Sequence, residues 1–211
     1  LMIQSKTIGT HRPGTSIQLS RAVPTMTNNV EVLVSITCDG WTDALAEAED
    51  VCKTAALTAM EAGPTPDVAE SLESLLPRLP YLAETPREIS ILLTDDAFIK
   101  GLNRDYRNKD EPTNVLSFAN FGKDIELPEL PEEETLIYGD VVVALETVVK
   151  EAEDGGKSLA GHLSHMIVHG VLHLLGYDHE EDSEAENMEA LETQMLESLG
   201  FDNPHATAIG N

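Results

Sequence analysis

The sequence predicts an α+β fold: a single two-layer domain with a mixed sheet of about four strands and about five helices. Two observations carry this expectation. Short stretches of two-residue apolar alternation and longer stretches of helical apolar spacing both occur, without the regular strand–helix alternation of a doubly wound parallel sheet. The chain has 211 residues and is 41% hydrophobic, which suits one domain with a real core. No apolar run approaches the ~20 residues needed to cross a bilayer, so no membrane partner is expected.

The elements follow in order. Residues 1–28 mix Ser, Thr, Arg and Pro without periodicity and read as an extended or disordered lead-in. The domain proper is expected over residues 29–211. Residues 29–36, N-V-E-V-L-V-S-I, alternate and predict the first strand. Thr42 or Asp43 can cap a helix to about Ala62, where Gly63 and Pro64 stop it. Residues 64–86 hold Pro64, Pro66, Pro77, Pro80 and Pro86 and read as a partly ordered connection with a short helical stretch. Glu88 to Thr94 predicts the second strand. Thr94 is the expected cap of the next helix, with Asp95 and Asp96 in its first turn and an end near Asn108. Asn114–Phe118 predicts the third strand, and residues 122–134 an acidic loop. Leu136–Leu145 predicts the fourth strand, followed by a short helix from Glu146 to Ala152. Ser158 caps an apolar helix to about Leu175, and Ser183 with Glu186 reads as a capping box for a last helix to Leu199.

Composition restricts the function. The net charge is −25, and Cys38 and Cys52 are the only cysteines. Two cysteines do not make a disulfide framework and suit a reducing compartment, so the cytoplasm is expected. The start, Leu1-Met2-Ile3-Gln4, lacks the basic and apolar regions of a secretion signal. An acidic surface repels phosphates, yet Lys100, Arg104, Arg107 and Lys109 place four of the thirteen basic groups within ten residues. After Lys157 there is no Lys or Arg. A polyanion must therefore be held by residues 100–109, helped by any bound metal.

The chemistry is concentrated in residues 169–179, H-G-V-L-H-L-L-G-Y-D-H. His169 and His173 are four apart and share one helix face. Gly176 lets the helix end in a left-handed turn that returns His179 to the same point. Three imidazoles with a fourth position open make a catalytic zinc site, with one zinc per chain. The frame is that of the zincin-like protease motif H-E-x-x-H-x-x-G-x-x-H, with Gly170 where the protease has its glutamate base. Gly170 is accordingly expected to leave open space over the metal. His162 and His165 are expected to pack or to orient other groups.

Three segments together resemble the YbeY family of bacterial rRNA-maturation endoribonucleases. They are Leu102 to Phe118, with Y-R-N-K-D-E-P-T-N-V-L-S-F from Tyr106; Gly139 to Val143; and His169 to His179 with Met188–Glu192 and Leu199-Gly200-Phe201. The resemblance runs from about residue 29 to the end. It implies a single-domain, zinc-dependent endoribonuclease specific for single-stranded RNA. It further implies a role in 3′-end maturation of small-subunit rRNA and in ribosome quality control. RNA, the ribosome or its small subunit, and ribosomal proteins are the implied partners. Zinc is implied at His169, His173 and His179, and a catalytic role at Arg107. Three features depart from the family pattern: Ala119 where a proline is common, longer stretches at 1–28 and 64–86, and His205 where an aromatic is usual. Two alternatives stand beside this reading: a zinc metallopeptidase-like hydrolase, and a ribosome-associated binding factor with a structural zinc. Candidate general bases are Asp178 and hydroxide on the metal.

Overall fold

The computed structural model describes residues 2–3, 29–74, 85–122 and 135–206. The expectations for most of the lead-in, for residues 75–84 and for the acidic loop over 123–134 lie outside the described residues. Along the chain run β1 (Met2–Ile3), β2 (Val30–Ile36), α1 (Gly40–Ala44), α2 (Ala48–Ala59) with a 3-10 turn at Met60–Ala62, α3 (Pro66–Glu73), β3 (Arg87–Thr94), α4 (Asp96–Arg107), β4 (Val115–Ala119), β5 (Leu136–Ala144), α5 (Leu145–Asp154), α6 (Leu159–Leu174) and α7 (Asp182–Ser198). The α+β class is borne out.

The strands form one mixed sheet in the order β1-β4-β5-β3-β2. β4 and β5 run antiparallel, and the other neighbours are parallel. The fifth strand is β1, which pairs with Ser117 and Phe118. Alternation along β5 assigns the two faces. Val141 and Val143 join the main core with residues of α2 and α6. Val142 and Ala144 meet Ile99 of α4 and Leu116 in a smaller cluster. Helices α6 and α4 therefore lie on opposite faces of the sheet.

Several local expectations change. The helix expected from Thr42 to Ala62 is two helices, because Leu45 turns extended at φ −150° and ψ 94°. The break has a cause at Trp41, which is fully buried and donates its indole N–H to the Thr94 carbonyl at 2.9 Å. That anchor ties α1 to the end of β3, and the chain must turn before α2 can lie along the sheet. Asp95, not Thr94, caps α4, its carboxylate accepting from the Phe98 N–H at 2.8 Å. Thr94 is still in β3 and buried. The expected Ser183 capping box does not form: α7 begins at Asp182, Glu181 occupies the cap, and Ser183 is already helical. Ser158 does cap α6, accepting from the Gly161 N–H at 3.1 Å. No helix among the described residues is long and apolar enough to cross a membrane.

Candidate metal centre

Helix α6 is apolar around nearly its whole circumference, so it sits in the core, with the His165 and His169 side chains reaching its partly open edge. It lies close against the sheet at Gly170. A Cβ there would lie 2.7 Å from Val141 Cγ1 and 3.1 Å from Ser117 Oγ. Ser117 Oγ donates to the Gly170 carbonyl at 3.1 Å. This corrects the expectation of open space over the metal: Gly170 faces β4 and β5, and its missing side chain admits the sheet.

The end of α6 is set by Gly176 at φ 91°. The Tyr177 N–H donates to the Leu172 carbonyl and the Gly176 N–H to the His173 carbonyl, each at 3.0 Å. This pair of bonds is the Schellman termination, which needs a left-handed residue at the position of Gly176. The chain reverses and returns His179 to the helix. His169, His173 and His179 then stand together, each offering a ring nitrogen within 4.8 Å of the others.

Hydrogen bonds orient the rings. His173 Nδ1 lies 2.9 Å from the Tyr177 carbonyl, which can only accept, so that nitrogen carries the proton. His169 Nδ1 lies 2.7 Å from Glu192 Oε1 and donates to it. Both Nε2 atoms consequently present lone pairs, and they are 3.2 Å apart. Two facing lone pairs repel unless a cation lies between them. A proton on His173 does not serve, because burial pushes the His173 pKa down to about 2. A neutral imidazole is the form a metal requires. The donor set thus fits a zinc-type ion.

Glu192 is a functional candidate missed in the sequence. It is 2% exposed and accepts from His165, His169 and His205. Burial pushes its carboxyl up, but the hydrogen bonds from His165 and His169 outweigh that and hold it well below the usual carboxylate range. A signal was present: Glu192 shares helical spacing with Met188, Met195 and Leu196, the other buried residues of α7. His162 Nε2 bonds Glu151 at 2.8 Å, and Glu151 also accepts from Asn114 Nδ2. Neither His162 nor His165 belongs to the three-histidine group. Asp178 Oδ1 accepts from the His179 N–H at 2.8 Å.

A cavity of about 300 Å³ opens onto the site, lined in part by Asn114, Val115, His169, His179, Glu192 and His205. Arg107 and Asp178 do not line it. Arg107 stands in the last turn of α4, and residues 108–114 lead from it to the cavity wall. Among the described residues Arg107 has no ion-pair partner, whereas Arg104 pairs with Asp105 and Lys100 with Asp110.

Fold and site define an α+β protein with a three-histidine group, at the end of a core helix, that could hold a metal ion. A family model described as Endoribonuclease YbeY matches residues 63–200, and the chain belongs to that family. A protein of Paramagnetospirillum magneticum named Endoribonuclease YbeY is 48% identical over 180 residues, covering 85% of this chain and 98% of the relative. Its namesake in Rhodospirillum rubrum is 57% identical over 126 residues, covering 60% and 62%. That of Azorhizobium caulinodans is 47% identical over 177 residues, covering 84% and 97%. The resemblance carried by the three sequence segments is borne out.

Proposed function

We propose that this chain is a zinc-dependent endoribonuclease for single-stranded RNA, with one zinc held by His169, His173 and His179. As a member of the Endoribonuclease YbeY family it is a hydrolase acting on RNA. Its proposed task is 3′-end maturation of small-subunit rRNA and ribosome quality control in the cytoplasm, with the small subunit and ribosomal proteins as partners. The observation that carries the zinc assignment is the pair of Nε2 atoms facing each other at 3.2 Å with both Nδ1 protons committed elsewhere.

When bound, zinc supplies a Lewis acid that polarises a phosphoryl oxygen and acidifies water. The chain's own residues do the rest. The Tyr177 carbonyl and Glu192 fix the tautomers of His173 and His169, keeping both Nε2 lone pairs available. Arg107 grips the phosphodiester: its guanidinium is permanently charged, planar and, among the described residues, without a carboxylate partner. Asp178 spends its Oδ1 on the His179 backbone and is not assigned the base.

Two observations weigh against the alternatives. A peptidase would carry its base at position 170, and that position is pressed against Val141. A purely structural zinc would be closed off, whereas His169 and His179 line an open cavity. The test uses one sample for three assays: cleavage of a single-stranded RNA, of a duplex and of a casein peptide, before chelation, after it, and after zinc is restored. Single-strand cleavage alone should be lost and recovered. Peptide cleavage, or RNA cleavage indifferent to chelation, would overturn the proposal.

A further inference from the structure

The second group of converging ligands lies one residue layer from the first. His165 Nε2 is 3.1 Å from Glu192 Oε2, and His205 Nε2 is 2.6 Å from the same oxygen. The three ligand atoms lie within 4.8 Å of one another. They come from three places in the chain: α6, α7 and the segment after α7. That last segment is folded back deliberately. Gly200 at φ 85° ends α7, and the Phe201 N–H donates to the Leu196 carbonyl at 2.9 Å. Asn203 Oδ1 then accepts from Thr193 Oγ1 at 3.2 Å and from the His205 N–H at 2.8 Å, which holds His205 over α7.

We propose that His165, Glu192 and His205 form a second divalent-cation site, distinct from His169, His173 and His179 and taking zinc or a similar borderline ion. Two imidazoles and one carboxylate with open positions are a recurrent set for such ions. The carboxylate is 2% exposed, and a buried charge requires a compensating one. Among the described residues no Lys or Arg lines the cavity it faces. His205, 30% exposed at its side chain, lies on the open side, where a small swing widens the present hydrogen-bond spacing to that of metal ligands.

The arrangement also assigns the second cation a role. Glu192 offers Oε2 to this group and Oε1 to His169, so a whole carboxylate and an imidazole ring separate the two centres. That exceeds the ~3.5–4 Å of two ions sharing one displacement. Its contribution is charge. The cavity wall carries Glu189 and Glu192, the chain carries −25, and the substrate is a polyanion. A second cation beside the first offsets that repulsion where RNA must enter.

This inference rests on the three-histidine centre being a separate zinc site, and the test reads both. Protein stripped with chelator is titrated with zinc chloride by calorimetry, and bound zinc is counted by elemental analysis after gel filtration. The intact chain should take two zinc ions. His205→Ala should take one, as should His173→Ala, each by losing a different site. His205→Gln, which keeps a polar side chain on the same segment, should also take one. An intact chain holding one zinc that His173→Ala loses and His205→Ala keeps would overturn the second site and leave the first standing. No zinc in the intact chain would overturn both. Two zinc ions undiminished in His205→Ala would place the second elsewhere and overturn the assignment.

Discussion

Glu192 joins the two histidine groups of this site, and its charge decides how firmly His169 is aimed. Replacing it by Gln keeps the volume and one acceptor but removes the charge. Metal affinity at the three-histidine centre should fall about 10–100-fold, the scale for losing a group that orients a ligand. Competition with a chromophoric chelator measures this, and unchanged affinity would reduce Glu192 to packing. Gly170 is governed by contact. Gly170→Ala places a Cβ 2.7 Å from Val141 Cγ1 and should cost about 1–3 kcal/mol by overpacking. Urea unfolding should register that loss, and a parent-like midpoint would mean that α6 does not approach the sheet this closely. Acidity acts on the same residues. The unfolded chain protonates His173 below its ordinary 6.5, while the buried ring resists down to about 2. The unfolded state therefore binds more protons, and the stability due to a neutral His173 is present above 6.5 and lost progressively as pH falls below it. Glu192, held below its ordinary 4.5, adds a further loss under that value. Chelated protein should unfold at lower urea at pH 5.5 than at pH 7.5, and equal midpoints would contradict the burial of His173.

At the scale of elements, the termination of α6 matters more to the site than the helix itself. Gly176→Ala would force a side chain into φ 91° and bring its Cβ against Thr65 Oγ1, a strain of about 1–3 kcal/mol. It should also displace His179 and lower zinc occupancy. Gly156→Ala is the control: φ is 62° but, beyond its chain neighbours, no atom of the described residues lies within 4 Å of the added Cβ, so it should cost some stability and leave zinc unchanged. Equal zinc content in the two variants would mean that His179 does not depend on the turn. The helix, its Ser158 cap, the Gly176 turn and the gathering of three histidines were legible because each depends on neighbours within a few turns. What was not legible depends on distant contacts. Nothing local marks Leu45 as a break, since its cause is the Trp41 bond to Thr94. Ser183 and Glu186 fit a capping box locally, yet the chain enters α7 earlier, at Asp182. Gly170 reads from the motif as a hole above a metal, and only the sheet behind it reveals a contact.

For the whole molecule the question is how a chain of charge −25 holds RNA. The proposed answer combines cations at the cavity with Arg107 and its neighbours at the end of α4. Arg107→Ala should keep zinc and lose at most about 0.5 kcal/mol of stability, as surface changes usually do. It should lose at least ~10²-fold in single-turnover cleavage, the scale for removing one charge-stabilising group. Arg107→Lys should recover only part, since an ammonium cannot reproduce the two-pronged grip. Full activity in zinc-replete Arg107→Ala would return the residue to ordinary surface charge. The central claim is more basic: that His169, His173 and His179 bind the metal on which RNA cleavage depends. The direct measurement is zinc occupancy of that centre and single-turnover RNA cleavage on the same preparation of His173→Ala, with circular dichroism to confirm the fold. Both should fall together, zinc at this centre to background and cleavage by several powers of ten. A folded His173→Ala protein that cleaves RNA at the parent's rate would contradict the account.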